Sequence, residues 1–231
     1  MKNNRISGSS IAFGYVNALR IRAFFIAHII GGIMIQSRSK SFSLDRLVKV
    51  GILAGLSYIL MFIQLPIPIA PPFMKVDFAD VPALIGGFAL GPWYGVLIEL
   101  IKNLLNLSKT MTFGVGELSN FIVGSTFVLV SSLIYKNKKS KKSSIIGLAL
   151  GVLAMSAVAT LSNTFVVFPI YGKVMHMELE AFAAMVPGNN LVTNYFTLML
   201  LSVAPFNIIK GALEAIVTEL IYKRVSPILK R

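Results

Sequence analysis

Asn207 and Lys210 stand three residues apart in Ala204-Pro205-Phe206-Asn207-Ile208-Ile209-Lys210-Gly211, inside an otherwise apolar stretch near the C-terminus. At that spacing an amide and an ammonium share one helix face. Together they offer donors to carbonyl oxygens and an acceptor to N–H or O–H groups. An ionisable group near a bilayer centre costs about 2.5 to 3.5 kcal/mol on insertion scales, so a ligand or ion site is the first chemistry this pair suggests. Other polar groups recur at helical spacing. Asn163 and Thr164 have Thr160 and Ser156 below them, Glu117 is followed by Asn120, and Glu99 by Lys102, Asn103 and Asn106. Amides and hydroxyls in such numbers suit an uncharged ligand with many hydrogen-bonding groups, although Asn and Ser in membrane helices also serve as interhelical hydrogen-bonding groups. Glu99 with Lys102 reads as a structural ion pair, and Glu214 either joins the site or neutralises Lys210 one turn away.

The elements that must position these groups are membrane helices. Of 231 residues 55% are hydrophobic and 13% charged, a balance that a soluble domain could not cover with polar surface. The formal charge of +13 is concentrated: eight Lys and Arg precede residue 50, five lie from Lys136 to Lys142, and four follow Tyr222. Basic clusters flanking apolar runs follow the positive-inside rule and argue against nucleic-acid binding. Without cysteine there is no thiolate nucleophile, disulfide or thiolate metal site. The two histidines, His28 and His176, are far apart, no His-Glu-x-x-His or Gly-x-Ser-x-Gly motif occurs, and no P-loop is present, so neither an enzyme nor an ATPase is indicated. The absence of a sequence repeat gives no support to an inverted-repeat secondary transporter.

The expected fold is an all-α integral membrane protein with six transmembrane helices and cytoplasmic termini. Residues 1 to 43 read as a basic cytoplasmic or interfacial extension, with Met34 as an alternative start, because the apolar run Ala23 to Ile35 is too short where a spanning helix needs about 20 residues. The membrane domain covers residues 44–223 and a basic tail 224–231. The first span runs from Leu44 to Leu65 and ends at Pro66, Pro68, Pro71 and Pro72. Val81 to Leu105 is interrupted by Gly91-Pro92 and reads as two short spans, because that division places the basic N-terminus and the Lys136 to Lys142 loop on one side. Gly116 to Tyr135, Ile145 to Ile170 and Pro205 to Lys223 complete the six, with Pro205 in the first turn of the last. Tyr171 to Val203 reads as an external segment turning at Pro187-Gly188-Asn189-Asn190 with a short helix on either side. Trp93 and Tyr94 read as interfacial anchors.

Four motifs in series resemble the riboflavin-specific S component of energy-coupling factor transporters: Val76-Asp77-Phe78-Ala79-Asp80-Val81-Pro82 with Gly91-Pro92 after it, Glu99-Leu100-Ile101-Lys102-Asn103, Gly116-Glu117-Leu118-Ser119-Asn120, and Pro205-Phe206-Asn207-Ile208-Ile209-Lys210-Gly211. The resemblance covers about Leu44 to Lys223. It implies a binding subunit in the cell membrane that captures riboflavin as cargo, needs no cofactor, and works with a T component and two ATP-binding subunits. It further implies a pocket at the outer helix ends, capped by the Pro-rich loop that runs up to Asp80. Asn207, Lys210 and Asn163 are its expected contacts, joined by Thr164, Glu117, Asn120, Phe78, Asp80 and Met74, with Phe73, Phe165 and Phe206 as further wall candidates. S components dock through an Ala-xxx-Ala face on the first helix. Here Ala54 is followed four residues later by Tyr58, which leaves Gly51 and Gly55, with Ala54 beside them, as the expected docking face. Alternatives are an S component for another vitamin, a self-sufficient secondary transporter or a small membrane enzyme.

Overall fold

A computed structural model describes residues 44–110, 113–188 and 190–229; the basic extension over residues 1 to 43, with Met34 and His28, lies outside the described residues. Among the described residues six principal helices follow one another: α1 (Leu44–Leu60), α2 (Asp80–Ala89), α3 (Pro92–Asn106), α4 (Val115–Asn137), α5 (Lys141–Met175) and α6 (Tyr195–Leu229). Among the described residues α4, α5 and α6 are long and apolar enough to cross a membrane. Short 3-10 turns at Leu107–Lys109 and Leu179–Met185 lie in the connections after α3 and α5.

The apolar run from Val81 to Leu105 is indeed two helices. Gly91 divides them at φ 127°, a conformation that a Cβ disfavours, and Pro92 follows as the first residue of α3, where its missing N–H has no intrahelical partner to lose. The first helix ends at Leu60, earlier than the Leu65 expected from hydropathy. Leu65 instead pairs with Val76, and Pro66 with Lys75, in a two-stranded antiparallel hairpin, β1 (Leu65–Pro66) and β2 (Lys75–Val76). This hairpin folds the Pro-rich loop back toward the bundle.

The last helix departs most from expectation. It starts at Tyr195, capped by the Asn194 side chain accepting from the Thr197 N–H, so Pro205 lies well inside it. A proline there lacks an N–H for the residue four back. The chain accommodates it with a π turn at Met199–Val203, whose closing bond runs from the Ala204 N–H to the Met199 carbonyl, five residues back. The same arrangement occurs in α5, where a π turn at Asn163–Val167 precedes Pro169 and the Phe168 N–H bonds the Asn163 carbonyl. That shift leaves the Thr164 carbonyl without its usual helical donor, and the Tyr195 hydroxyl supplies one at 2.6 Å. At its other end α6 stays helical to Leu229, through most of the segment expected to be a tail.

Successive helices run in alternating directions. At one end of the bundle Phe88 of α2 stacks on Tyr135 of α4 with centroids 4.7 Å apart, and the Tyr222 hydroxyl of α6 donates to that of Tyr135 at 3.2 Å. Val50, Leu53 and Ala54 of α1 join the same apolar core with Leu84, Ile98, Phe127 and Met155. Toward the opposite end a second cluster gathers Phe168, Tyr171, Phe182, Leu198 and Val203. Exposed Trp93 lies in the first turn of α3, and Tyr94 lies under the Arg46 guanidinium at 5.7 Å.

Candidate ligand site at the hairpin end of the bundle

A cavity of about 640 Å³ opens where the hairpin loop lies over the ends of α3, α4, α5 and α6. The loop is held there from two sides. Ser202, in the second π turn, donates to the Ile69 carbonyl at 2.7 Å, and Phe73 meets Phe168, Tyr171 and Phe182 at centroid distances of 5.8, 6.0 and 6.1 Å. Pro72, Phe73, Met74, Lys75 and Asp77 thereby form one wall.

The helices contribute stripes. Met155, Ala159, Asn163, Val167 and Tyr171 line the cavity at every fourth position of α5, and Gly116, Asn120 and Val123 do so from α4. Phe206, Asn207 and Lys210 face it from α6. Six of the residues nominated from sequence are thus brought together: Asn207, Lys210, Asn163, Glu117, Asn120 and Met74.

Three others stand off the wall. The Thr164 hydroxyl donates to the Thr160 carbonyl of its own helix at 2.7 Å, and Thr164, one residue past Asn163, lies off the stripe. Phe78 packs against the core of the bundle. Asp80 is buried at the start of α2, where it pairs with Lys102. Of the further wall candidates, Phe73 and Phe206 line the cavity, whereas Phe165 is 73% exposed on the outside of α5. Sequence reasoning missed Tyr171 and Met155, which the four-residue spacing through Asn163 could have found, and Asp77, the charged neighbour of Asp80 in the first motif.

Beneath the cavity lies a buried charge cluster of Asp77, Asp80, Glu99, Lys102, Lys210 and Glu214. Lys102 takes its close contacts, to Asp80 and to both Glu99 oxygens at 2.8 and 3.0 Å. This is the structural ion pair read from the sequence, extended by Asp80. Gly124 makes room for it, because a Cβ there would come within 2.5 Å of a Glu99 oxygen. Lys210 differs. Its ammonium has Asp77, Asp80 and Glu214 at 3.6, 3.7 and 3.9 Å, close enough to balance charge but beyond hydrogen-bond length. Its N–H donors remain available to a molecule in the cavity.

The amides are oriented the other way. The Asn207 Nδ2 donates to the Val203 carbonyl at 2.8 Å and the Asn163 Nδ2 to the Ala159 carbonyl at 2.7 Å, each anchoring its nitrogen on its own helix. Their carbonyl oxygens take no hydrogen bond among the described residues. Glu117, on the same rim, accepts from Asn106 at 3.1 Å and Thr110 at 2.9 Å. The cavity therefore combines a cationic donor, amide acceptors and aromatic walls within the size range of small-molecule sites.

On the face of α1 expected to dock the partners, a Cβ added to Gly51 or Gly55 would meet nothing within 4 Å, so both glycines lie open. Ala54 is the correction here. It is fully buried against the core, because it lies on the inward stripe with Val50, Leu53 and Ser57.

A bundle of apolar helices with a ligand-sized polar and aromatic cavity at one end defines a binding protein of the membrane. A family model described as "ECF transporter, substrate-specific component" matches residues 45–222, and the chain belongs to that family. It is 38% identical over 186 residues to a riboflavin transporter RibU of Staphylococcus aureus (strain TCH60), covering 80% of this chain and 93% of the relative. It is 31% identical to the riboflavin transporter FmnP of Bacillus subtilis (strain 168), covering 79% and 92%. A solved structure of the S component of a bacterial ECF transporter superposes with a TM-score of 0.65 at 37% identity, covering 80% of this chain and 98% of the other.

Proposed function

We propose that this chain binds riboflavin in the cavity between Lys210 and Asn163 and delivers it unaltered, as the substrate-binding subunit of an ATP-driven uptake complex. The observation that carries the reading is the unspent Lys210 ammonium beside the oriented Asn207 and Asn163 amides in one aromatic-walled cavity. Riboflavin's flat ring calls for apolar and aromatic walls, its ring carbonyls for N–H donors, and its ring N–H and ribityl hydroxyls for acceptors. The naming of the relatives as riboflavin transporters supports that choice over another vitamin. The chain crosses the membrane six times in this reading, the hairpin end facing out, with the start of α1 and the end of α6 on the cytoplasmic side beside the lysines from 136 to 142. A T component and two ATP-binding subunits supply the energy.

The test is direct. Protein purified in detergent is extracted with denaturant and the released material examined for a flavin absorption spectrum; emptied protein is then titrated with riboflavin while flavin fluorescence is followed. Saturable one-to-one quenching, weakened by about 1 to 3 kcal/mol in Lys210→Ala and in Asn207→Ala, is the expected result. Folded protein that neither carries nor quenches flavin would refute the reading.

A further inference from the structure

Asn103 is 4% exposed on α3 and lies outside the cavity wall. Its two ends are both engaged. The Nδ2 donates to the Glu99 carbonyl at 2.8 Å, one turn back on the same helix. The Glu99 carbonyl has no hydrogen to give, so the end of the amide that faces it must be the nitrogen. The Asn103 oxygen then faces α4, where it accepts from the Asn120 Nδ2 at 3.1 Å. An oxygen there can only accept, so the Asn120 amide is fixed in turn, with its nitrogen toward Asn103. The Asn120 oxygen, which accepts no hydrogen bond among the described residues, is the end left for the cavity that Asn120 lines.

We propose that Asn103 is a positioning residue for the ligand site: it locks the Asn120 amide so that α4 presents an acceptor, matching the acceptors that Asn163 and Asn207 present from α5 and α6. A free asparagine can turn over and offer either end at nearly equal cost. In this chain each of the three is tied by its nitrogen, two to a carbonyl of their own helix and the third to Asn103. The site is thereby biased toward a ligand that brings N–H or O–H groups to three sides and an acceptor to Lys210. The inference deepens the riboflavin reading and rests on it for the identity of the ligand, but the relay itself is a property of the empty protein.

Two measurements separate these. In protein labelled with ¹⁵N-asparagine and held in nanodiscs, the Asn120 side-chain NH₂ pair is assigned by its disappearance in Asn120→Leu. One of its two protons should be shifted and slow to exchange in the wild type, and that distinction should vanish in Asn103→Leu. Two protons that both sit at ordinary asparagine shifts and both exchange fast with water in the wild type overturn the relay whatever the ligand, and this readout stands even where Asn103→Leu does not fold. The second measurement is a double-mutant cycle in riboflavin affinity. Asn120→Leu and Asn103→Leu should each weaken binding about tenfold, and the double variant about tenfold as well, because Asn103 acts only through Asn120. A hundredfold loss in the double variant means independent effects and overturns the proposal. No quenching in the wild type, with the NMR signature present, would refute the riboflavin reading and leave the relay standing.

Discussion

Two buried lysines, Lys102 and Lys210, occupy one charge cluster, yet their surroundings assign them different work. Lys102 is fully buried with Asp80 and Glu99 in direct contact, and no ligand can reach it. Removing one partner of such a group leaves carboxylates buried without a close cation, at a cost of about 3 to 5 kcal/mol. Lys102→Met should therefore lower the thermal unfolding midpoint strongly in detergent. Riboflavin affinity of the fraction that stays folded should change little by comparison. Lys210 borders the cavity, and its carboxylates stand at 3.6 to 3.9 Å, so it surrenders no direct hydrogen bond on substitution. Lys210→Met should lose binding with a smaller loss of stability. Unfolding midpoints and flavin titrations of the two variants check this, and equal loss of stability in both would show that the cluster does not divide in this way.

At the scale of elements, the π turns in α5 and α6 set the site. Each precedes a proline, and each lies beside an asparagine of the cavity wall, Asn163 opening the first and Asn207 following the second. Tyr195 links the two helices by donating to the carbonyl that the first turn leaves over. Tyr195→Phe keeps the ring and removes only the donor, so it should cost about 1 kcal/mol through the half-buried carbonyl left without its partner. Chemical denaturation in detergent, with riboflavin affinity measured alongside, reads the effect; an unchanged midpoint would mean that the Thr164 carbonyl finds water instead. The same turns explain what could be read from the sequence. Gly91-Pro92 could be placed between two helices because the residue types allow a break there and the basic segments before and after it then fall on one side. Asn207 and Lys210 could be put on one face because their spacing lies after the second π turn, where ordinary helical geometry holds. Pro205, by contrast, fits a helix start and a post-π position equally well by residue type, and the apolar residues before it carry no signal that chooses. Thr164 and Phe165 fell on the wrong side for a simpler reason: they follow Asn163 by one and two residues, which turns them about 100° and 200° around the helix from the stripe that Asn163 belongs to.

For the whole molecule the question is which surface meets the energising partners while the cavity stays intact. α1 buries Val50, Leu53, Ala54 and Ser57 and leaves Val48, Gly51, Ile52, Leu56 and Ile59 facing outward. Lipid alone accounts for exposed Val, Ile and Leu. It does not call for glycine, which weakens a helix by about 1 kcal/mol relative to alanine without packing gain. Two glycines four apart on the open side instead leave a groove into which another helix can settle closely. The groove lies on α1 alone, whose contribution to the cavity is limited to Met61, Phe62 and Gln64 beyond its C-terminal end. Gly51→Leu should fill it without touching the cavity wall. Riboflavin titration of the purified variant should match the wild type, while riboflavin uptake by cells carrying the complete transporter should fall severalfold or more. Loss of binding in the purified variant would mean that α1 is coupled to the site, and undiminished uptake would mean that the partners approach by another face. Intact binding with failed uptake would place capture and delivery on separate surfaces of the same bundle: the α3 to α6 ends for the ligand, and the outward face of α1 for the partners that move it.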